Sequence, residues 1–413
     1  FSAFLLTRSS DLGRANKMQA IKITEKVYWV GAIDWNIRDF HGYTTDEGTT
    51  YNAFLIVDEK IVLVDTVKHG FFEQMAARIK SVIGDKKIDI LISNHSEMDH
   101  TGVIRETIAH FKPSKIYASL TGVKTLQEHF GSFENLEGVA DGSEVNIGKE
   151  TLVFMDSKML HWPESMICLM KNENLLFSND IFGMHYASNK HFDDEVSQEV
   201  WYREAKKYYA NIILPYSNIV KAFLAKVKAK GLAPKIICPD HGIIWRKNPQ
   251  QIVDLYAKFA EQKATKKALV IYDTMWGSTA KMAASITDGL SSKGIEVKEF
   301  SLRATNRSEV AAEILDSAAL IVGTPVLNQE MYPSLGDTLT YLKGLKKTNL
   351  LGMVFGSYGW SPLAINNLQK LVESMGVKIV KEPITSKFIP TAEKLKECFD
   401  SGVFMAEEIG KNL

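Results

Sequence analysis

At 413 residues the chain exceeds an ordinary single domain, so two compact units are expected. Lysine plus arginine and aspartate plus glutamate stand at 49 each, a zero net charge that argues against a nucleic-acid binder, and no apolar run is long enough to span a bilayer. Cys168, Cys238 and Cys398 are far apart with no C-x-x-C pair, which argues against a disulfide framework, a zinc knuckle or a cysteine-held iron centre and reads as a reducing, cytoplasmic compartment.

Phe1–Lys17 lacks the basic start and long apolar stretch of a signal peptide and is set aside as a remnant or loose extension, the fold pattern opening at Met18. Short β-branched and aromatic runs follow at Val27–Ile33, Asn52–Val57 and Ile61–Asp65, then a strand at Ile88–Ser93, a polar loop at His95–His100 and a helix. Strands are expected again at Leu152–Met155, Ile167–Met170, Leu175–Ser178 and Lys235–Cys238, with Val196–Lys228 mainly helical. Strand pairs with covering helices suggest an αββα sandwich. Arg246–Lys266, polar and helical in pattern, is the natural linker, and the texture changes near Thr265. From there strands alternate with helices: Ala268–Tyr272, Val297–Leu302, Ala319–Gly323, Leu350–Phe355 and Val377–Val380 are the strands, and helices start near Thr279, Ser308, Ser334 and Ala364. Such βαβ alternation is that of a flavodoxin-like doubly wound parallel sheet. The expected domains are therefore 18–264 and 265–413.

The loop after Ile88–Ser93 reads Asn94-His95-Ser96-Glu97-Met98-Asp99-His100, two imidazoles and two carboxylates within six residues. In an extended loop alternate residues share a side, so His95, Glu97 and Asp99 converge while His100 turns the other way. A polar turn is the bland alternative. His161, Asp180 and His241 each follow a strand end, where a rigid scaffold positions loop residues for binding.

The pattern His-x-Glu-x-Asp-His, then a lone His, a lone Asp and a Gly-flanked His, resembles the dinuclear site of the metallo-β-lactamase fold. With Glu97 in the third position and a flavodoxin-like second domain, the chain resembles the flavodiiron proteins from Met18 to Leu413, including Asp34-Trp35-Asn36-Ile37-Arg38, His161-Trp162-Pro163-Glu164-Ser165-Met166 and His241-Gly242-Ile243-Ile244-Trp245-Arg246. That resemblance implies reduction of dioxygen to water or nitric oxide to nitrous oxide. It implies one iron on His95, Glu97 and His161, a second on Asp99, His100 and His241, and Asp180 bridging, with family members differing over the His100 position. Glu97 in place of an imidazole independently hardens the ligand set and moves preference from zinc toward iron or manganese. No catalytic side chain beyond the ligands is assigned; His41, with Phe40 and Tyr43, lines the substrate pocket by resemblance, and His185 with Tyr208 or Tyr209 are candidate partners behind the ligands, packing being the equal alternative.

After strand Ala268–Tyr272 comes Asp273-Thr274-Met275-Trp276-Gly277-Ser278-Thr279 and a helix. Hydroxyls and backbone N–H groups at a helix N-terminus form an anion site, and Gly277 permits close approach. This resembles the flavodoxin phosphate loop, with Trp276 where a threonine would stand. Gly323-Thr324-Pro325-Val326-Leu327-Asn328 and Gly356-Ser357-Tyr358-Gly359-Trp360 follow the next two inner strands, where such sheets bind ligands. Pro325, Leu327, Asn328, Ser357, Tyr358, Gly359 and Trp360 join Thr274–Thr279 as the flavin set, with Trp360 or Tyr358 stacking on the ring. FMN fits better than a dinucleotide, since no arginine lies in the loop.

Dioxygen reduction takes four electrons, two from ferrous ions and two from reduced flavin. The resemblance implies a head-to-tail homodimer, or a dimer of such dimers, placing one subunit's flavin beside the other's irons. With no C-x-x-C pair for a fused rubredoxin, electrons are expected from a separate donor such as rubredoxin or a reduced deazaflavin. The competing reading is a dinuclear zinc hydrolase of the metallo-β-lactamase fold fused to a flavodoxin domain, which Glu97 disfavours. A third is an electron carrier or redox sensor with a structural metal, which seven ligands disfavour.

Overall fold

The structure, a computed structural model, describes residues 18–413; the expectation for Phe1–Lys17 lies outside the described residues. Two compact units are present, each assembled from several segments. The first takes residues up to Arg38, Thr45–Ala205 and Ala225–Val253, and the second Asp39–Thr44, Lys206–Leu224 and Asp254–Leu413. Three stretches of the expected first domain, Asp39–Thr44, Lys206–Leu224 and 254–264, thus cluster with the second.

The first unit holds a two-stranded pair, Ala32–Asp34 with Thr49–Tyr51, and two large sheets. One runs Ile21–Lys22, Val27–Trp29, Phe54–Val57, Ile61–Val64, Ile90–Ser93, Lys115–Ser119 and Leu136–Val139; the other runs Glu144–Asn146, Thr151–Asp156, Met166–Met170, Leu175–Phe177 and Ile236–Cys238. Period-two alternation sends Phe54, Ile56, Val62, Val64, Ile90 and Ile92 from the first sheet into one core with Leu152, Phe154, Met166, Cys168, Met170, Leu175 and Phe177 from the second. Helices Phe72–Ile83, Ile104–Phe111 and Leu120–Phe130 are amphipathic, and the architecture is the αββα sandwich expected. The run Val27–Ile33 is two strands rather than one, because the chain bends at Gly31, where a Cβ would stand 2.2 Å from the Tyr51 carbonyl.

At one end of the sandwich Met166 N–H donates to the Asn94 carbonyl at 2.9 Å, joining the two sheets beside the His95 loop. Buried Asn52 does the same for the loop around His241: its amide donates to the Pro239 and Gly242 carbonyls, and its oxygen accepts from the Trp29 indole. These bonds fix the strand-end loops against one another.

In the second unit the parallel strands lie in the order Glu296–Ser301, Lys267–Tyr272, Ala319–Leu327, Leu351–Tyr358 and Lys378–Ile379, the flavodoxin-like 2-1-3-4-5 arrangement. The fifth position is shared by a second piece, Ile384–Lys387, because Pro383 interrupts the ladder. Helix Ala392–Asn412 lies beyond the expected elements and packs so closely on Ser278–Ser291 that a Cβ on Gly289 would meet the Phe399 carbonyl at 2.1 Å. The expected helix Val196–Lys228 is broken: Gln198–Tyr208 passes through a π turn at Tyr209–Ile213 and a tight turn containing Pro215 before Ser217–Ala229 resumes. The expected linker contains helix Gln250–Ala260, whose Ile252, Leu255, Tyr256 and Phe259 are buried.

Candidate metal centre and flavin cavity

Strands Ile90–Ser93, Thr151–Asp156, Leu175–Phe177 and Ile236–Cys238 deliver His95, His161, Asp180 and His241 at their ends. The extended alternation expected of the loop stops at Glu97, because Met98–Thr101 forms a helical turn. Asp99 and His100 therefore both reach inward, and His100 does not turn away.

The ligand-type atoms form two groups, each within 4.8 Å: His95, Glu97, His161 and Asp180, and Asp99, His100 and His241. Asp180 belongs to both by geometry. Its Oδ2 lies 3.3 Å from His95 Nε2 and 3.1 Å from His161 Nε2, while Oδ1 lies 3.1 Å from His100 Nε2 and 3.5 Å from His241 Nε2. Glu97 Oε2 closes the first group, 3.2 Å from His95 Nε2 and 3.1 Å from His161 Nε2. Asp99 Oδ2 closes the second, 3.2 Å from His100 Nε2 and 3.0 Å from His241 Nε2. Donors bound to one metal at ~2.1 Å are spaced about 3.0–3.4 Å from each other, and all but the Asp180–His241 pair fall in that range. Both Asp99 oxygens are buried with no hydrogen-bond donor, a costly state that a cation relieves.

Burial opposes charge throughout the cluster, and the partners overcome it. Asp180 is held well below the usual carboxylate range, chiefly by the His100 charge, and Asp99 is lowered by His100 and His241. Hydrogen bonds donated by His95 to Asp180, Glu164 and Glu97 hold it well above an ordinary imidazole; His100 rises to about 10 and His161 to about 8.

Behind the ligands stand residues that the sequence reading did not assign. Glu164 Oε1 accepts from His95 Nδ1 at 2.9 Å, the Thr50 carbonyl accepts from His241 Nδ1 at 2.6 Å, and Asp240 lies 3.8 Å from His100 Nδ1. Asp240 is fully buried, and that burial, with Asp65 nearby, raises its carboxyl well above the ordinary range. Glu164 follows His161 by three residues and Asp240 precedes His241, so proximity to a ligand was the available signal. His185 stands beside His241, its ring 4.8 Å away and its Nδ1 2.9 Å from Thr49 Oγ1. His41 and Tyr43 fall in the second unit, His41 stacked on Phe40 at 3.8 Å and Tyr43 beneath Lys207; neither joins the convergent ligand atoms. Tyr209 is a core residue there, against Tyr256 and Phe259 with its hydroxyl 3.0 Å from Ser217 Oγ, and Tyr208 is buried too.

The second unit carries a cavity of about 700 Å³ at the carboxyl ends of its strands. Met275, Trp276, Ser278, Pro325, Leu327, Asn328, Ser357, Tyr358, Gly359 and Trp360 line it, with Val326, Gln329, Ser361, Phe388 and Ile389 in addition. Thr274, Gly277 and Thr279 are not among the lining residues. Thr274 Oγ1 accepts from Gly277 N–H, and Thr279, wholly buried, turns its hydroxyl to Ser357 at 2.9 Å; these residues shape the loop from behind. Gly277 at φ 86° precedes helix Ser278–Ser291, whose first turn has no side-chain cap, leaving N–H groups for an anion.

Residues 49–242 match the family model described as ODP family beta lactamase, and residues 270–402 match that of flavodoxin. The chain is 41% identical over 395 residues to the nitric oxide reductase of Moorella thermoacetica, covering 95% of this chain and 99% of that one. It superimposes on the rubredoxin oxygen:oxidoreductase of Desulfovibrio gigas with a TM-score of 0.93 at 38% identity, covering 95% and 99% of the two chains. The flavodiiron protein of Giardia intestinalis gives 0.91 at 31%, covering 95% and 97%. The chain belongs to the flavodiiron proteins. As a flavodiiron protein it is an oxidoreductase whose cofactors are FMN and a pair of non-haem irons, and the cavity and the imidazole–carboxylate cluster suit them in shape and donor chemistry. Among the described residues no helix is long and apolar enough to cross a membrane.

Proposed function

We propose that this flavodiiron protein reduces dioxygen to water or nitric oxide to nitrous oxide at irons held by His95, Glu97 and His161 on one side and by Asp99, His100 and His241 on the other, with Asp180 between. The observation that carries this reading is the division of Asp180: each carboxylate oxygen faces the imidazole nitrogens of a different group. His100 is included because its Nε2 lies as close to Asp180 and Asp99 as the other imidazoles do. The division of labour follows the boundary near Thr265, metal before it and FMN after it in the cavity lined from Met275 to Ile389.

Iron supplies one-electron redox chemistry, and FMN supplies the further electrons that reduction of these gases requires. The chain's own residues prepare the site. Glu164 and the Thr50 carbonyl hold the Nδ1 protons of His95 and His241, so each Nε2 faces inward as a lone-pair donor. His95, Asp99, His100, Asp180 and His241 are at most 3% exposed, which keeps bulk water from the donor atoms. Asp99 and Asp180 stay charged against their burial and balance the metal charge.

The donor is a separate protein or cofactor such as rubredoxin or a reduced deazaflavin; the name of the Desulfovibrio relative supports the first. A head-to-tail homodimer, alone or paired into a dimer of dimers, brings one subunit's FMN to the other's irons. The exposed indoles Trp276 and Trp360 at the cavity rim, 93% and 86% accessible, support such a covering partner. Cytoplasmic placement is supported by three free, buried cysteines. Anaerobic stopped-flow mixing of the reduced protein with each gas tests the activity. Rapid reoxidation by one or both is expected, while inert mixing in protein carrying FMN and two irons overturns it. Mixing His95→Ala/Asp99→Ala chains with chains whose flavin loop is disabled tests the dimer: activity returns in mixed dimers only if electrons cross between subunits.

A further inference from the structure

The two halves of the metal cluster differ in what stands behind their histidines. Behind His241 there is a neutral acceptor, the Thr50 carbonyl at 2.6 Å from Nδ1. Behind His95 there is a carboxylate: Glu164 Oε1 is 2.9 Å from His95 Nδ1 and also 2.9 Å from Ser96 N, from which it accepts. Glu164 is only 2% exposed, so its charge is little screened. Its backbone is clamped as well, the carbonyl accepting from Ser119 Oγ at 2.6 Å, where Ser119 caps helix Leu120–Phe130. Behind the remaining inward histidine of the second half, the Asp240 carboxylate stands 3.8 Å from His100 Nδ1, beyond hydrogen-bond reach.

We propose that Glu164 is a positioning residue that makes the two iron positions unequal: by bonding the Nδ1 proton of His95 it fixes that ring and turns it into a stronger, more anionic donor, so that the position held by His95, Glu97 and His161 binds metal more tightly and favours the ferric state. A hydrogen bond to a charged acceptor is about twice as strong as one to a neutral group, and it shifts electron density toward the opposite nitrogen. The position held by Asp99, His100 and His241 lacks this partner and is the more readily reduced and the more easily emptied. This inference rests on the ligand assignment proposed above.

Glu164→Gln separates charge from shape. The Ser96 N–H demands an acceptor, so the amide oxygen takes the place of Oε1 and the bond to His95 survives without its charge. Full-length FMN-loaded protein is stripped of metal, and ferrous iron is titrated back anaerobically against a chelator. In parallel, the midpoint potentials of the iron pair are read by paramagnetic resonance. The variant is expected to bind two irons but to hold one of them about 10–100-fold more weakly, and the potential of that position moves positive, with FMN content unchanged. Affinity and potentials equal to those of the parent overturn the proposal, because a merely structural bond is preserved by glutamine. His95→Ala is the control on the underlying assignment. If it retains both irons at parental affinity, the ligand set falls and this inference with it; if it loses iron while Glu164→Gln changes nothing, only the role of Glu164 falls.

Discussion

The metal cluster and the flavin cavity are built on opposite plans. The first is made of side chains that converge from four strand ends and are almost entirely buried. The second is made of backbone turns and aromatic rims, with Trp276 and Trp360 standing in solvent. Concentrated metal charge needs fixed donors of set chemical type, whereas a flat ring and a phosphate need a slot, free N–H groups and apolar walls. A lesion in the cluster should therefore act all or none through chemistry, and a lesion in the cavity should act gradually through shape.

The largest effect is expected of Asp180→Ala. One residue serves both groups of donors, so its loss removes an oxygen from each and leaves the flanking imidazoles pressed together without their shared anion. Paired-iron spectra should vanish, and turnover should fall by more than the ~100-fold typical of losing an outer partner. FMN content should stay at one per chain, since the cavity lies wholly in the second unit. Metal and flavin quantitation on the same sample checks both halves. A coupled di-iron signal in the variant would show that Asp180 does not bridge.

Acid should separate the two units next. His191, packed 4.4 Å from Trp29 in the sandwich, is pushed down to about 4 by burial, with the Arg78 charge adding and Glu195 opposing, from an ordinary value of 6.5. Its folded value lies below its unfolded one, so the stability it leaves intact above pH 6.5 is lost as pH falls toward 4. That loss is about 3 kcal/mol in full. No histidine follows His241, so the sheet built from Lys267 onward has no such liability. His191→Gln should be less stable than the parent at pH 7.5, with the gap closing or reversing by pH 4.5 in thermal unfolding. A constant gap would show that His191 is not the acid-sensitive group.

How much of this is legible from residues alone follows from the same contrast. His95, Glu97, Asp99, His161, Asp180 and His241 are readable because residue type at a strand end carries the chemistry. The placement of His100 is not, because a helical turn of four residues reverses the direction that alternation assigns to it. Thr50 is invisible in a sequence: it acts through its carbonyl, which every residue has. The 2-1-3-4-5 sheet is foreshadowed by apolar strands alternating with helices, yet the assignment of Asp39–Thr44 and Lys206–Leu224 to the second unit is not, since it depends on contacts such as Thr44 Oγ1 to Ser308 Oγ at 2.7 Å, across 264 positions. Thr274 and Thr279 illustrate the limit on motif reading. Their hydroxyls suit a phosphate, but the fold spends them on Gly277 and Ser357.

A smaller effect is expected at Gly277. Its φ of 86° lies in the left-handed region, and a Cβ there would meet nothing within 4 Å, so the constraint is purely conformational. Gly277→Val should strain the loop by about 1–2 kcal/mol and weaken FMN roughly 5–30-fold, with iron content untouched. Gly277→Asn, which tolerates that conformation, should recover most of the affinity in fluorescence titrations. Equal losses in both variants would point to space rather than backbone angle.

The smallest effects belong to the two exposed indoles, and they distinguish which wall of the cavity holds the ring. Neither supports the fold: at 93% and 86% accessibility, Trp276→Ala and Trp360→Ala should each leave apoprotein stability within about 0.5 kcal/mol of the parent. They differ in position. Trp276 sits in the turn leading to the helix N-terminus that would receive the phosphate, whereas Trp360 follows strand Leu351–Tyr358 beside Tyr358 and Gly359, where the isoalloxazine is expected. An offset-stacked aromatic pair contributes about 0.5–1.5 kcal/mol beyond area burial, so Trp360→Ala should weaken FMN by roughly 2–12-fold. Trp360→Phe should restore much of that, because the face of the ring rather than the indole N–H makes the contact. Trp276→Ala should change FMN affinity less and instead loosen the self-association attributed to the rim, measurable by sedimentation. If Trp276→Ala costs more flavin affinity than Trp360→Ala, the stacking ring comes from the phosphate turn, and the cavity is read from the wrong side.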